Sequence, residues 1–524
     1  MTAESGTAIP RRTFVAALAA GAAVPWPRLL AGDPRVAQLT DGTLHYASAS
    51  VLAEAIRQKR VSSVEAVDAC LRRIEQVNPK LNAVVQLIAD TARAEARQAD
   101  AERGRGKLRG PLHGVPFTVK DSFDTAGVIS TAGTQGWAKR IPTEDATMVA
   151  RIRGAGGILL GKTNTPEFTW SDETDNLVYG RTSNPYDPSR TPGGSSGGPA
   201  AILASGGSPL DVGSDTGNSI RMPSHNCGIA GIKPTAGRIS KSGHAISYRG
   251  IIESWTQVGP MARFVEDLVL VLPLVSGVDG RDPHAVPAPL LDPGRVNVRS
   301  LRVVFFTDNP LRTPTPETVR TVEAAAATLE AAGARVEAKP PPGVNDATEL
   351  WHKIVFADGG AWLRRLLQAA GTEGNGSLGE LPSNEQVPSG QLTLLVEQLD
   401  EVRSRLLRFM ERVDLIICPV MAMPAVHHGD SSKPGYADGY NEPHNITGWP
   451  VAVVRAGTSP EGLPIGVQLV GRPWREDVVL AAAKVVEASG GWKAPALYRC
   501  KLLALLTGSG GARHNRRLAS PKSN

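Results

Sequence analysis

Residues 211–234 read DVGSDTGNSIRMPSHNCGIAGIKP. In this stretch a loop of glycine, serine, threonine and asparagine is followed by small apolar residues, so backbone N–H groups are presented with little side-chain cover. An oxyanion hole requires such groups. Ser219 follows Gly217 and Asn218, and glycine and asparagine are the residue types best able to adopt a positive φ in a tight anion-facing turn. The stretch therefore indicates a serine beside an anion-binding loop.

Two further segments supply complementary groups. Residues 191–201, TPGGSSGGPAA, form a second loop of glycine and serine, and residues 114–121, GVPFTVKD, carry an apolar run that ends at Lys120. The run predicts a strand that delivers the lysine into the interior, where a charged amine is costly. Two interpretations of Lys120 stay open: a lysine at the strand end whose amine reaches solvent, and a general base with a depressed pKa. Together, one interior lysine and two serine-bearing loops can move a proton and hold an oxyanion.

Two other motifs match known patterns without the context that those patterns need. Residues 156–163, GGILLGKT, fit the phosphate-loop pattern, but the apolar interior predicts a buried strand and residues 146–153 before it are helical in character. Residues 193–197, GGSSG, fit the nucleophile elbow, yet residues 184–192 before them predict a loop rather than a buried strand. Neither ATP binding nor an elbow is predicted.

The sequence resembles the amidase signature family of serine hydrolases over residues 45–490. The fold that this implies is α/β, with α/β/α layers around a large mixed, twisted β-sheet, in one domain over residues 40–495 with N-terminal helices at 40–80. The matching motifs are GVPFTVKD, GKTNTPEF (161–168), GGSSGG (193–198), GSDTGNSIRMP (213–223), CGIAGIKPT (227–235) and GLPIGVQLVGRP (462–473).

The resemblance assigns roles to particular residues. It implies a catalytic triad of Lys120, Ser195 after a cis peptide bond, and Ser219. Ser196 would be a supporting serine that fixes Lys120, although a loop hydroxyl bonded to backbone is an equal alternative. The oxyanion hole would consist of the backbone N–H groups of Thr216, Gly217, Asn218 and Ser219.

The substrate pocket is less specified, and here the sequence departs from the family pattern. By family position, the segments 170–175 and 440–450 border the channel, which makes Trp170 and Trp449 pocket candidates. Thr165, a third candidate, stands where the family commonly has methionine, and Asn218 replaces a glycine. Both departures bear on substrate preference.

Local patterns predict the surrounding elements. Apolar residues at helical spacing over 49–76, with Ser62 and Ser63 as an N-cap before Glu65, predict helices that end at Asn78 and Pro79. Farther along, Ala-rich helical stretches alternate with the short apolar runs 301–306, 415–418 and 451–454. This alternation indicates a layered α/β domain.

The composition excludes several classes of protein. In 524 residues, 57 Lys plus Arg against 51 Asp plus Glu leave a net charge of +6 without clustering, which argues against nucleic-acid binding. The chain contains 55 glycines and 40 prolines without a collagen period. Four separated cysteines show no metal or disulfide pattern, and the histidines, including His427, His428 and His444, lack ligand spacing. No metal and no cofactor are predicted.

The termini carry their own signals. Arg11 and Arg12 are followed by an apolar Ala-rich stretch, and residues 1–31 together resemble a twin-arginine export signal. The signal predicts a periplasmic protein; without export, the protein would be cytoplasmic. Residues 500–524 read as a frayed basic tail. No apolar run approaches the length needed to span a bilayer.

The function predicted is hydrolysis of C–N acyl bonds in small amides, anilides or carbamates (urethanes), with water as the second reactant. Two alternatives remain: an exported binding protein on a degenerate amidase scaffold, and an amidotransferase A-type subunit, against which the slight basic excess argues. No nucleic-acid partner is predicted, and the sequence does not indicate the oligomeric state.

Overall fold

The computed structural model describes residues 33–246, 250–381, 385–433 and 436–496. The predicted export signal at 1–31 and the predicted basic tail at 500–524 lie outside the described residues. Within the described ranges, no helix combines the length and the apolar character that crossing a bilayer requires.

The strands form a three-stranded and an eight-stranded sheet. In the smaller sheet the order is β1-β3-β2, and in the larger it is β4-β6-β5-β10-β11-β9-β7-β8. The larger sheet is mixed, because β7 runs parallel to β8 and β9 while the other pairs are antiparallel. The strand bounds are β1 Val84–Leu87, β2 Pro116–Lys120, β3 Ile158–Thr163, β4 Leu210–Asp215, β5 Ala230–Lys233, β6 Gln257–Ala262, β7 Arg302–Phe305, β8 Arg335–Ala338, β9 Leu415–Pro419, β10 Val451–Thr458 and β11 Pro464–Gly471.

Helices cover both faces of the large sheet. Their bounds are α1 Pro34–Ala37, α2 Ala49–Arg57, α3 Ser63–Leu81, α4 Ala89–Gly104, α5 Thr147–Gly154, α6 Gly197–Ala204, α7 Arg221–Cys227, α8 Val265–Val275, α9 Pro316–Ala331, α10 Val344–Val355, α11 Ala361–Ala370, α12 Ser389–Met410, α13 Glu442–Ile446 and α14 Glu476–Gly490.

Alternation along β9 shows how the layers arise. Leu415 and Ile417 belong to a core that also contains apolar residues of α8, α9 and α14. Ile416 and Cys418 point to the opposite face and belong to a second core with residues of α10, α11 and α12. Successive side chains of a strand face opposite sides, so a run of apolar residues is buried on both. The predicted α/β/α layering around a large mixed sheet is confirmed.

The N-terminal helical region follows its local signals, with one correction. Ser62 accepts a hydrogen bond from the backbone of Glu65 at 3.0 Å, and the Glu65 carboxylate accepts one from the Ser62 backbone at 2.7 Å. This capping box confirms the predicted N-cap of α3. The predicted end at Asn78 and Pro79 is wrong, because α3 continues to Leu81 and ends where Asn82 adopts φ 50°.

The two sheets meet where the polar residues gather. Strand β2 lies beside β4, and the hydroxyl of Thr118 donates to the carboxylate of Asp211 at 2.6 Å. Both strands are buried along their whole length. Their ends, Lys120 on β2 and Asp215 on β4, therefore lie close together in the interior.

Candidate active site

Lys120, the last residue of β2, is fully buried and surrounded by serine hydroxyls. Its Nζ lies 2.6 Å from Oγ of Ser195, 3.0 Å from Oγ of Ser196 and 3.0 Å from Oγ of Ser214. Ser195 and Ser196 come from the 191–201 loop, and Ser214 comes from β4. The strand end thus carries the amine to the junction of both glycine loops.

Burial lowers the pKa of Lys120 well below its usual value, although Asp215 and Asp211 act in the opposite direction. Two other fully buried lysines differ in their partners. Lys162 donates to the carbonyl of Phe123 as well as to the hydroxyls of Thr125 at 2.7 Å and Ser130 at 3.2 Å, and Lys233 donates to the carbonyl of Trp449. A carbonyl accepts a proton in a hydrogen bond but has none to give, whereas a hydroxyl has one. Among these three, Lys120 alone has only serine hydroxyls as hydrogen-bond partners.

The 191–201 loop is held by close backbone packing. The peptide bond between Gly194 and Ser195 is cis, as the family resemblance implied. A Cβ added to Gly194 would lie 2.2 Å from the carbonyl oxygen of Ser171 and 2.9 Å from Cα of Asp172, so only glycine fits there. Gly193 has φ 85°, which also favours glycine. Helix α6 begins at Gly197, directly after the two serines.

Ser219 stands on the loop between β4 and α7, next to the first loop. The backbone N–H of Ser196 donates to the carbonyl of Ser219 at 3.2 Å, and the Ser219 hydroxyl donates to Oδ1 of Asn218 at 3.4 Å. Within the described residues, the backbone N–H groups from Thr216 through Ser219 have no hydrogen-bond acceptor. Four adjacent donors beside a serine form a site that can receive an oxyanion.

A buried ion pair shapes this second loop. The Asp215 carboxylate accepts from the backbone of Ile220 at 3.0 Å and from the Arg221 guanidinium at 2.9 and 3.0 Å, and both side chains are fully buried. Arg221 also donates to the carbonyl of Gly217 at 2.8 Å. Burial alone would raise the pKa of Asp215, but Arg221 and the amide of Asn445 lower it to about 2. The ion pair of Asp215 and Arg221 therefore stays charged, and Arg221 holds the carbonyl of Gly217 toward the protein interior.

The comparisons with known proteins bear on this geometry. A family model described as Amidase matches residues 65–480. The chain belongs to the amidase family. As a member, it is an enzyme that acts on C–N bonds.

Relatives of the amidase fall into more than one activity class. The chain is 33% identical over 480 residues to the glutamyl-tRNA(Gln) amidotransferase A-type subunit of Chloroflexus aggregans, covering 86% of the chain and 97% of the relative. It is also 33% identical over 473 residues to an acylamidase of Rhodococcus erythropolis, covering 87% and 98%. The solved structure of 6-aminohexanoate cyclic dimer hydrolase complexed with substrate is 28% identical with a TM-score of 0.76, over 87% of this chain and all of that one.

The structure brings the predicted triad loops of the amidase together. Lys120, Ser195 and Ser196 are in contact, and Ser219 is tied to Ser196 through the backbone. Ser214, the third hydroxyl at Lys120, was not singled out from the sequence, although it lies inside the quoted 211–234 stretch. Strand alternation is the pattern that points to Ser214, because it stands two residues after Val212 and therefore on the same face of a buried strand.

One conformational expectation is wrong. Neither Gly217 nor Asn218 has a positive φ, so the loop does not need the left-handed freedom that these residue types offer. Gly217 instead lies beside an aromatic ring: a Cβ added there would be 3.4 Å from Cζ2 of Trp351. The asparagine in place of glycine is compatible with the backbone of this loop, and its side chain bonds to Asp172 and to the Ser219 hydroxyl.

The predicted pocket residues of the amidase have different surroundings. Trp170 is half-buried and packs edge-to-face on Trp362, with ring centroids 4.8 Å apart. Trp449 is 2% exposed and belongs to the core between the sheet and α10 to α12, and its place at the channel stays a prediction. Thr165 is completely buried, with its carbonyl bound by Asn176 at 2.8 Å, and does not reach an opening. Large rings beside a sheet gain more from core burial than from a wet channel.

Trp351 and Asp172 are residues beside the Ser219 loop that the structure adds. Trp351 on α10 is half-buried with its ring edge toward Gly217, and Asp172 is half-buried and accepts a hydrogen bond from the Asn218 amide at 3.0 Å. Segment 170–175 was expected at the channel, but nothing in the sequence distinguished Asp172 within it. Trp351 lies 132 positions after Ser219, and no local pattern joins them.

The structure also shows the surroundings of the phosphate-loop pattern at 156–163 and of the histidines. Residues 158–163 form a buried strand after α5, and Lys162 is enclosed by protein, so the phosphate-loop pattern is coincidental. The described residues contain no group of three or more His, Cys, Asp or Glu side chains able to hold a metal ion. His428 instead lies against the Glu173 carboxylate at 2.5 Å.

Proposed function

We propose that the protein hydrolyses C–N acyl bonds of small amides, anilides and carbamates through a Ser219 acyl-enzyme, without a cofactor. One observation carries this proposal. The Nζ of the fully buried Lys120, whose pKa is lowered, lies 2.6 Å from Oγ of Ser195, and the adjoining loop carries Ser219 with backbone N–H groups that have no acceptor within the described residues. A buried amine that faces only hydroxyls is matched to proton transfer.

The first chemical step follows from these contacts. Ser219 Oγ attacks the substrate carbonyl, and its proton passes to Ser195 Oγ as the Ser195 proton passes to the neutral amine of Lys120. The carbonyl oxygen becomes an oxyanion, which the N–H groups of residues 216–219 stabilise. Loss of one such donor typically costs about 3 kcal/mol of barrier. Ser196 and Ser214 hold the Nζ in position through their hydroxyls.

The second half returns the proton. As the tetrahedral intermediate collapses, Lys120 and Ser195 relay a proton to the leaving nitrogen, and the C–N bond breaks to release an amine. Water then adds to the ester of Ser219, with the same relay accepting its proton, and the acid departs. For a carbamate donor, breaking the C–N bond leaves a carbonate on Ser219, and the product of its hydrolysis is a carbonic acid half-ester.

The aromatic residues at the opening favour aryl substrates. Trp170 and Trp351 are both half-buried beside the serine loops, and their rings offer apolar contact to an aryl group. We expect anilides and aryl carbamates to have kcat/KM about 10-fold or more above those of primary amides with the same acyl group. A matched panel of amide, anilide, carbamate and ester donors on purified protein measures this. Equal or reversed rates would remove the aryl preference while leaving the hydrolase proposal intact.

An amidotransferase A-type subunit is the second candidate, because the chain has the same identity to one such relative as it has to an acylamidase. The two candidates differ in their donor. An amidotransferase of this kind would release ammonia from glutamine, so glutamine belongs in the same panel. Glutamine as the preferred donor would favour the second candidate.

For location, we propose export to the periplasm on the strength of the Arg11 and Arg12 pair. Cell fractionation of the tagged full chain tests this, with Arg11→Lys/Arg12→Lys as the comparison. We expect the double variant to stay in the cytoplasm. A wild-type chain found only in the cytoplasm would overturn the proposal.

A further inference from the structure

Asp172 lies between the two serine-bearing loops. Its backbone packs against Gly194, where an added Cβ would be 2.9 Å from Cα of Asp172. Its side chain crosses to the other loop, where Oδ1 accepts the hydrogen bond from Nδ2 of Asn218 at 3.0 Å. Asn218 Oδ1 in turn accepts from the hydroxyl of Ser219. The carboxylate is therefore one side chain away from the nucleophile.

The second oxygen of this carboxylate is unused. Within the described residues, Oδ2 of Asp172 has no hydrogen-bond or ion-pair partner, and the residue is half-buried, so this oxygen is open to a ligand. The neighbouring acids are already occupied. Glu173 is bound by His428 and by Ser431 at 2.5 Å, and Asp438 is bound by His352 at 3.1 Å.

In the part of the chain that the structure describes, no protein cation balances Asp172. Burial raises the pKa of Asp172 to about 6, the Asn218 hydrogen bond opposes that rise, and the charges that act on it are those of Asp438 and Glu173, both negative. No cation is among the charges that act on Asp172. Of the cationic groups at the serine loops, Arg221 is paired with Asp215 and burial favours a neutral Lys120. A carboxylate so placed lacks a positive partner.

The hydroxyl of Tyr436 is a second polar group to which the charge of Asp172 extends. Tyr436 is 5% exposed, and its hydroxyl makes no hydrogen bond of ordinary geometry within the described residues. The amide of Asn226 lies near it, but among the described side chains that amide is itself without a hydrogen-bond partner. After burial, the charge of Asp172 contributes most to raising the pKa of Tyr436. A phenol oxygen can accept a hydrogen bond from a cation held by the carboxylate.

We propose that Asp172 is a specificity-determining residue that binds an ammonium group of the substrate, so that the enzyme prefers acyl donors carrying a primary amine near the scissile bond. The ammonium group donates to Oδ2 of Asp172, and Asn218 keeps the carboxylate turned toward the nucleophile. This inference rests on the proposed hydrolase function and adds the substrate's charge to it.

The test uses matched substrates that differ only in that charge. Anilides whose acyl chains of two to six carbons end in an ammonium group are compared with the isosteric anilides that end in methyl. For the wild type, we expect the best ammonium substrate to exceed its methyl counterpart in kcat/KM by roughly 10-fold to 100-fold, the range of a charge-assisted hydrogen bond.

Asp172→Asn removes the charge and keeps an acceptor for Asn218. We expect this variant to lose the ammonium preference because the KM for the ammonium substrate rises to that for the methyl substrate. Asp175→Asn, an exposed acid on the same segment, is the matched control and should retain the preference. If Asp172→Asn weakens both substrates equally, Asp172 only positions the loop and the inference is wrong.

Failure of this inference can be told apart from failure of the proposed function. Covalent labelling by a serine-directed fluorophosphonate reports the activated nucleophile without reference to substrate charge. A labelled wild type that prefers the methyl series, or shows no preference, overturns the role of Asp172 alone. A wild type that is neither labelled nor active on any donor overturns both.

Discussion

Replacing Ser219 with alanine is expected to lower kcat/KM by roughly 10⁴ to 10⁶-fold, the scale seen when an activated serine nucleophile is removed. The other hydroxyls of the site are not placed to substitute. Ser195, Ser196 and Ser214 all face Lys120, whereas Ser219 stands at the end of the run of open backbone donors at residues 216–219. The change deletes one oxygen whose hydrogen bond is a long one of 3.4 Å, so the fold should be retained.

Fluorophosphonate labelling followed by intact-mass measurement checks this result. The wild type and the exposed-serine control Ser300→Ala should each gain one adduct, and Ser219→Ala should gain none. Labelling of Ser219→Ala at the wild-type rate would place the nucleophile elsewhere. An unlabelled wild type would instead favour the binding-protein alternative.

Replacing Lys120 with methionine is expected to reduce kcat by roughly 10² to 10⁴-fold, the usual contribution of a general base. Methionine fills similar space but cannot take the proton from Ser195. KM should change little, because Lys120 is enclosed by serines and does not face the opening. Lys353→Met, at an exposed lysine on α10, is the matched control and should keep wild-type rates. A Lys120→Met enzyme within about 3-fold of wild type would contradict a base role for this amine.

The pH dependence offers an independent check. Because the folded-state pKa of Lys120 is lowered, the amine becomes neutral as pH rises through that value, and wild-type kcat should rise with it. Between the folded value and the ordinary 10.5, the unfolded chain binds the extra proton, so the free energy of unfolding rises with pH. Lys120→Met should flatten this slope by up to about 1.4 kcal/mol per pH unit, as measured by urea denaturation.

Local patterns sufficed for much of the molecule. The apolar run before Lys120 predicted a buried strand, and the structure has β2 at Pro116–Lys120. The Ser62 and Glu65 spacing predicted the start of α3 correctly. Strand alternation, helix capping and glycine-rich loops depend on neighbours a few positions apart, so the sequence alone contains the information.

Contacts between distant segments could not be predicted in this way. Trp449 packs in the core between the sheet and α10 to α12, and α3 ended two residues beyond Pro79 because Asn82 provided the left-handed cap. The expectation of a positive φ at Gly217 and Asn218 failed because the loop is shaped by the buried pair of Asp215 and Arg221. Each outcome depends on packing, which residue type alone does not determine.

The sequence by itself determined the layered α/β fold, the family, and the two serine loops with their lysine, because each depends on motifs whose members are close in the chain. The tertiary structure decided which of three buried lysines has hydroxyls as its only partners, and it placed Asp172 against Asn218 and Trp351 against Gly217. The physical reason is that burial and partner geometry set the pKa of an amine or a carboxylate. Those properties exist only once segments 46 or more positions apart have packed together.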